Sequence, residues 1–143
     1  MVTMVALIGT VVVASLLGTV YIILRSADAP PDHFAPAAAL DHAMKANVSG
    51  PVFNDYDFGG YLIFRGVPTF IDGRMLPFGK EFALNYFHAT ALGEGDELDR
   101  LADRYKVTWT LLRPKSAAAL HFDYSPEWRR IYADDVAVVH VRR

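Results

Sequence analysis

The sequence predicts a small α/β sandwich with a mixed sheet that ends in an antiparallel hairpin, preceded by an N-terminal transmembrane helix. Three observations lead there. Val2 to Leu24 contain no charged side chain, and every Lys, Arg, Asp and Glu lies beyond them. The rest of the chain alternates short β-branched or aromatic runs with segments of helical periodicity. The last two apolar runs, Trp128 to Tyr132 and Val136 to Val141, flank a turn-forming Ala133-Asp134-Asp135.

The uncharged run comes first. At about 1.5 Å per residue, a helix of this length reaches roughly 30 Å, the thickness of a bilayer's hydrocarbon core. A signal peptide would carry a basic n-region and an apolar core of roughly 7–15 residues. Here the basic region is missing and the core is too long, although Ala27-Asp28-Ala29 resembles a cleavage site. Residues 1–25 are therefore expected to span a membrane, with lipid as their partner. Gly9, Ser15 and Gly18 offer small contact points for neighbouring membrane helices. Residues 26–35, with Ala29-Pro30-Pro31-Asp32, read as a stiff linker, and 36–143 as one domain. A formal charge of −2 without a basic stripe argues against nucleic acid as a partner. Absence of cysteine excludes disulfides and thiol catalysis.

Within the domain, Pro36 suits the first turn of a helix running to about Ala46, with Ala37, Leu40 and Ala43 or Met44 on one side. Ser49-Gly50-Pro51 breaks the chain. Val52 and Phe53 open a short strand, Tyr56 to Phe64 form a brief helix, and Thr69-Phe70-Ile71 read as the next strand. That spacing is tight for a parallel crossover, which needs a dozen or so residues. Gly79 to Ala89 is expected to be helical. Leu98, Leu101, Ala102 and Tyr105 recur at i, i+3, i+4 and i+7, an amphipathic helix. Gly93-Glu94-Gly95 links these two helices. Val107 to Leu112 has strand character, and Ser116 to Phe122 reads as a short helix before the hairpin.

Chemistry concentrates in Asn54, Asp55 and Asp57 and in Asp72-Gly73-Arg74. If the two strands before them are parallel neighbours, these groups converge at one sheet edge, where open α/β sheets bind ligands. Arg74 could clamp a carboxylate or phosphate, or pair with Asp55 or Asp72. The same residues also suit caps and turns, with Gly59-Gly60 allowing close packing. No phosphate loop, dinucleotide fingerprint or nucleophile elbow is present, and the five histidines lack paired ligand spacing. No metal, cofactor or catalytic residue is therefore expected. Trp109 and Trp128 read as buried packing rather than a sugar platform.

The runs NDYDFGGYLIFRG, PTFIDGR with Phe78-Gly79, YKVTWTLLRP and PEWRRIYADDVAVVHVRR resemble the C-terminal tail of large bacterial polytopic membrane proteins. Those proteins are similar to the GT-C type, dolichyl-phosphate-mannose-dependent glycosyltransferases. The resemblance implies that a small α/β domain follows the last membrane helix and faces the periplasm or cell exterior. It places the family's catalytic machinery in loops between earlier membrane helices, so no residue here inherits a glycosyl-transfer role. Two functional expectations follow. One is a membrane-anchored accessory domain, partnered by other membrane helices or a lipid-linked sugar enzyme. The other, read from the residues themselves, is a carbohydrate or small-molecule binding module, with or without catalysis, built on the Asn54, Asp55, Asp72 and Arg74 cluster with Asp57 as a further ligand-binding candidate.

Overall fold

The computed structural model describes residues 9, 12–22, 35–74, 77–91 and 96–143. The chain divides into two compact units, Met1–Pro30 and Pro31–Arg143. In the first, residue 9 and residues 12–22 are helical, and the side chains of 12–22 are exposed on every side. Among the described residues no helix is long and apolar enough to cross a membrane. The rest of the expected span 1–25, residues 26–34 of the expected linker and the Gly93-Glu94-Gly95 connection lie outside the described residues.

The second unit is mixed α/β. Helix α1, Ala37–Lys45, starts where the Pro36 carbonyl accepts the Leu40 N–H at 2.9 Å, and it buries Ala39, Leu40 and Ala43. Strand β1, Val52–Asn54, leads through a 3-10 turn, Tyr56–Phe58, into α2, Gly59–Phe64. Next come α3, Lys80–Thr90, and α4, Glu97–Arg104. In α4, Leu98 and Ala102 are the buried members of the amphipathic stripe. Strand β2, Trp109–Leu112, is followed by α5, Ala117–Tyr124, whose N-cap Ser116 accepts the Ala119 N–H at 3.2 Å. The chain closes with β3, Trp128–Ala133, and β4, Val138–Arg142. Asp134 Oδ1 holds their connection by accepting the Val136 and Ala137 N–H groups at 2.8 and 2.7 Å.

The four-stranded sheet has the order β1-β2-β4-β3. β1 and β2 run parallel, while β4 lies antiparallel to both β2 and β3. A mixed sheet with a terminal hairpin is what the sequence predicts, but the parallel partner of β1 differs. Thr69-Phe70-Ile71 form no strand; that position belongs to β2, paired Val52 to Trp109 and Asn54 to Leu111. The reason is reach. The intervening α2, α3 and α4 supply a full crossover, whereas the chain from Asn54 to Thr69 is mostly taken up by one helical segment.

Side chains alternate across the sheet and build two apolar layers. Phe53 and Leu112 pack with Ile71, Tyr86, Leu98, Phe122 and Trp128 on the side of α3, α4 and α5. Val52, Trp109, Leu111 and Val139 pack on the other side with Leu40 and Ala43 of α1 and Phe58, Tyr61 and Leu62 around α2. Both tryptophans are therefore core residues.

Candidate functional site

Strand β1 ends at Asn54, which is fully buried. A buried amide needs partners for both its donors and its acceptor. Asn54 Nδ2 donates to the Ile71 carbonyl and to the Asp55 carbonyl, each at 2.8 Å, and Oδ1 accepts the Phe70 N–H at 2.8 Å. The side chain thus does for the 70–71 segment what a neighbouring strand would have done. Its backbone carbonyl accepts the Tyr86 hydroxyl at 3.1 Å, tying α3 to the same point.

Asp72 is equally committed. Its Oδ1 accepts from Arg74 N–H at 3.0 Å and Arg74 Nε at 2.9 Å, and its Oδ2 accepts from Arg74 NH2 at 2.8 Å and Thr69 Oγ1 at 3.2 Å. The Arg74 guanidinium, by these hydrogen bonds, holds the Asp72 carboxyl down at about 2. Gly59 closes the arrangement from the other side. A Cβ there would come within 2.5 Å of both Asp72 Cβ and the Ile71 carbonyl oxygen. Asn54, Gly59, Asp72 and Arg74 therefore form one lock between the start of α2 and the 69–74 loop. Arg74 keeps most of its side chain exposed, yet the pair spans only two residues and faces its own loop.

The remaining candidates, Asp55 and Asp57, go elsewhere. Asp55 leaves the carboxyl end of β1, with its N–H still bonded to the Leu111 carbonyl of β2 at 2.8 Å. It caps the 3-10 turn, Oδ1 accepting the Asp57 N–H at 3.1 Å. Arg113, the first residue beyond β2, meets both acids: NH2 lies 2.9 Å from Asp57 Oδ2, and Nε lies 3.7 Å from Asp55 Oδ1. Its guanidinium rests over the buried Phe58 ring at 5.3 Å, which fixes its direction. These groups line a cleft of about 320 Å³ at the carboxyl ends of the two parallel strands, walled by Tyr56, Phe87 and Ser116 among others. Burial pushes the Asp55 carboxyl above its ordinary range, against the opposing pull of the Asp57 N–H and the Arg113 charge. Burial likewise raises the Tyr86 phenol.

The expected constellation therefore divides. Asn54, Asp72 and Arg74 belong to the lock, and Asp55 and Asp57 belong to the cleft. Arg113, Phe87 and Ser116 escape a reading of the sequence. The signal for Arg113 is positional: it follows the true parallel neighbour of β1, and naming that neighbour would have found it. Among the described residues no three His, Asp or Glu side chains form a metal-ligand group.

A second polar network lies within the core. His140 and Thr110, both fully buried, approach at 2.8 Å between Nδ1 and Oγ1, and His140 Nε2 lies 3.0 Å from Asp123 Oδ1. The order of hydroxyl, imidazole and carboxylate suits proton relay, but a hydroxyl with no exposed surface has no access to a substrate. The network instead ties β2, β4 and α5 together.

No family model matches the chain, and neither the curated proteins nor the solved structures yield a significant match.

Proposed function

We propose that this chain is a membrane-anchored accessory domain serving a glycosyltransferase-like membrane assembly, without catalytic machinery of its own. The observation that carries the reading is the uncharged run Val2 to Leu24. Its described part, 12–22, is a helix without a charged side chain that exposes large apolar ones, among them Leu16, Leu17 and Ile22, beside Ser15 and Thr19. A helix that exposes large apolar side chains and no charge is poorly suited to water and at home in lipid or among other membrane helices. The motif resemblance supports the accessory role. So does the lock, because Asn54 and Asp72 of those motifs are buried with their polar atoms engaged, an architectural use.

The test uses the full chain expressed in bacterial cells. After alkaline carbonate washing it should remain in the membrane pellet. Recovery in the supernatant with an intact N-terminus rejects the anchor. Because the chain lacks cysteine, Tyr124→Cys at a position 85% exposed gives a single reporter thiol. A membrane-impermeant maleimide added to whole cells should label it. Labelling only after lysis would reject the extracytoplasmic placement.

A further inference from the structure

The accessory reading leaves the cleft between Asp55, Asp57 and Arg113 without a use. We propose that this cleft binds a single neutral sugar ring, held by its hydroxyl groups between the two carboxylates and the guanidinium and by its C–H face against Tyr56 and Phe87.

Position, size and chemistry converge on this occupant. The cleft lies outside the carboxyl ends of β1 and β2, the only parallel pair in the sheet order among the described residues. Strand ends of this kind diverge into separate loops and leave a crevice that ligands use. Its volume of about 320 Å³ is at the lower end of small-molecule sites, which run from roughly 300 to 1,000 Å³, and suits one ring rather than a chain.

The polar groups come in both senses. Asp55 and Asp57 are acceptors, and the Arg113 guanidinium is a donor between them. A hydroxyl both donates and accepts, so adjacent hydroxyls of a sugar can answer a carboxylate and a guanidinium together through charge-assisted hydrogen bonds. Ligands of a single charge fit less well. A phosphate or carboxylate that reached Arg113 would also meet two acids, and a metal cation or an ammonium that reached the acids would meet Arg113.

The apolar side of the cleft completes the match. The Tyr56 and Phe87 rings lie 5.5 Å apart at 55°, and Phe87 is 40% exposed despite its size. An aromatic surface beside fixed polar groups accepts the C–H face of a pyranose while its edge is hydrogen-bonded. Ser116, whose oxygen accepts the Ala119 N–H, also lines the cleft and brings a hydroxyl to it. This inference is independent of membrane anchoring, and its test stands whatever fractionation shows.

The experiment is amide NMR on the full chain in a phosphocholine detergent, since alkyl-glycoside detergents would themselves occupy the site. The probes are the methyl glycosides of three hexopyranoses, with sodium phosphate, ethylammonium chloride and calcium chloride as charged comparisons. At least one glycoside should give saturable shifts centred on Asp57, Phe87 and Arg113. Asp57→Asn should weaken that binding about tenfold, the loss expected for one charge-assisted hydrogen bond. Phe87→Ala should weaken it through lost ring contact, and Tyr124→Ala, away from the cleft, should leave it unchanged. Both cleft variants alter exposed side chains, so the unperturbed amides elsewhere report whether the fold persists. The proposal is overturned if no glycoside shifts the cleft, if binding survives both Asp57→Asn and Phe87→Ala, or if a charged probe binds more tightly than every glycoside.

Discussion

His140 donates from Nε2 to Asp123 Oδ1 across 3.0 Å, so a fully buried imidazole on β4 is joined to a carboxylate on α5. With that hydrogen on Nε2, Nδ1 is left to accept the Thr110 hydroxyl at 2.8 Å. The neutral ring is thereby satisfied on both sides, and a second ring proton would displace the hydroxyl's donation.

Burial lowers the affinity of His140 for that proton. The Asp123 carboxylate opposes the shift and the charge of Arg130 reinforces it. The folded-state pKa lies below the unfolded value of about 6.5, so unfolded chains bind more protons in the interval between the two. Stability from this site is complete above about pH 6.5 and declines on acidification, at up to about 1.4 kcal/mol per pH unit for one proton. Denaturant titrations at pH 7.5 and 5.5 should show a smaller acid loss in His140→Gln than in the parent. Equal losses in the two proteins would refute the assignment.

Asn54→Ala should be among the most destabilising single substitutions in the domain. It orphans the Phe70 N–H and the Ile71 carbonyl, both held at 2.8 Å by the amide, and leaves space where the amide was. Two buried groups without partners cost about 2–6 kcal/mol together. Chemical denaturation measures the loss, and a change below about 1 kcal/mol would show that water or a shift of the loop replaces the amide.

Two adjacent glycines should respond in opposite directions. At Gly59 an added methyl would collide with the backbone of Ile71 and Asp72, while at Gly60 nothing lies within 4 Å. Gly59→Ala is expected to destabilise by about 1–3 kcal/mol or more through overpacking. Gly60→Ala lies in helix α2 and should stabilise by about 0.5–1 kcal/mol, because alanine loses less backbone freedom on folding. Thermal melts of the pair decide the matter: a stabilised Gly59→Ala would contradict the packing at Gly59, and a destabilised Gly60→Ala would contradict the open space at Gly60.

Asp55→Asn should raise stability. The carboxylate is held in a partly desolvated place that disfavours its charge, and asparagine caps a helical turn about as well. A gain of up to about 1 kcal/mol is expected at neutral pH from removing the desolvated charge. Under the sugar-binding proposal, the same variant should bind a glycoside more weakly. Loss of stability in Asp55→Asn would mean that its contacts with Arg113 outweigh desolvation.

Local sequence carries much of this fold. Pro36, Ser116 and Asp134 announce two helix starts and a hairpin turn through bonds that reach only a few residues. The stripe through Leu98 and Ala102 marks the buried face of α4, because one helical period tests burial directly. The 69–71 segment misleads for the same reason that it matters. Thr69, Phe70 and Ile71 have the composition of a strand, and Phe70 and Ile71 are buried like one, but their backbone partners come from the Asn54 side chain. No local pattern separates a ladder from an amide that imitates part of it.

Composition and periodicity alone determined the uncharged N-terminal run, the α/β character and the closing hairpin, since each depends on neighbours in the chain. Tertiary structure decided which strand lies beside β1. That choice sent Asn54, Asp72 and Arg74 into a lock and brought Asp55 and Asp57 to Arg113, more than fifty positions away. Contacts between distant residues depend on how helices fill the space between strands, a property of the packed whole that no short window of sequence contains.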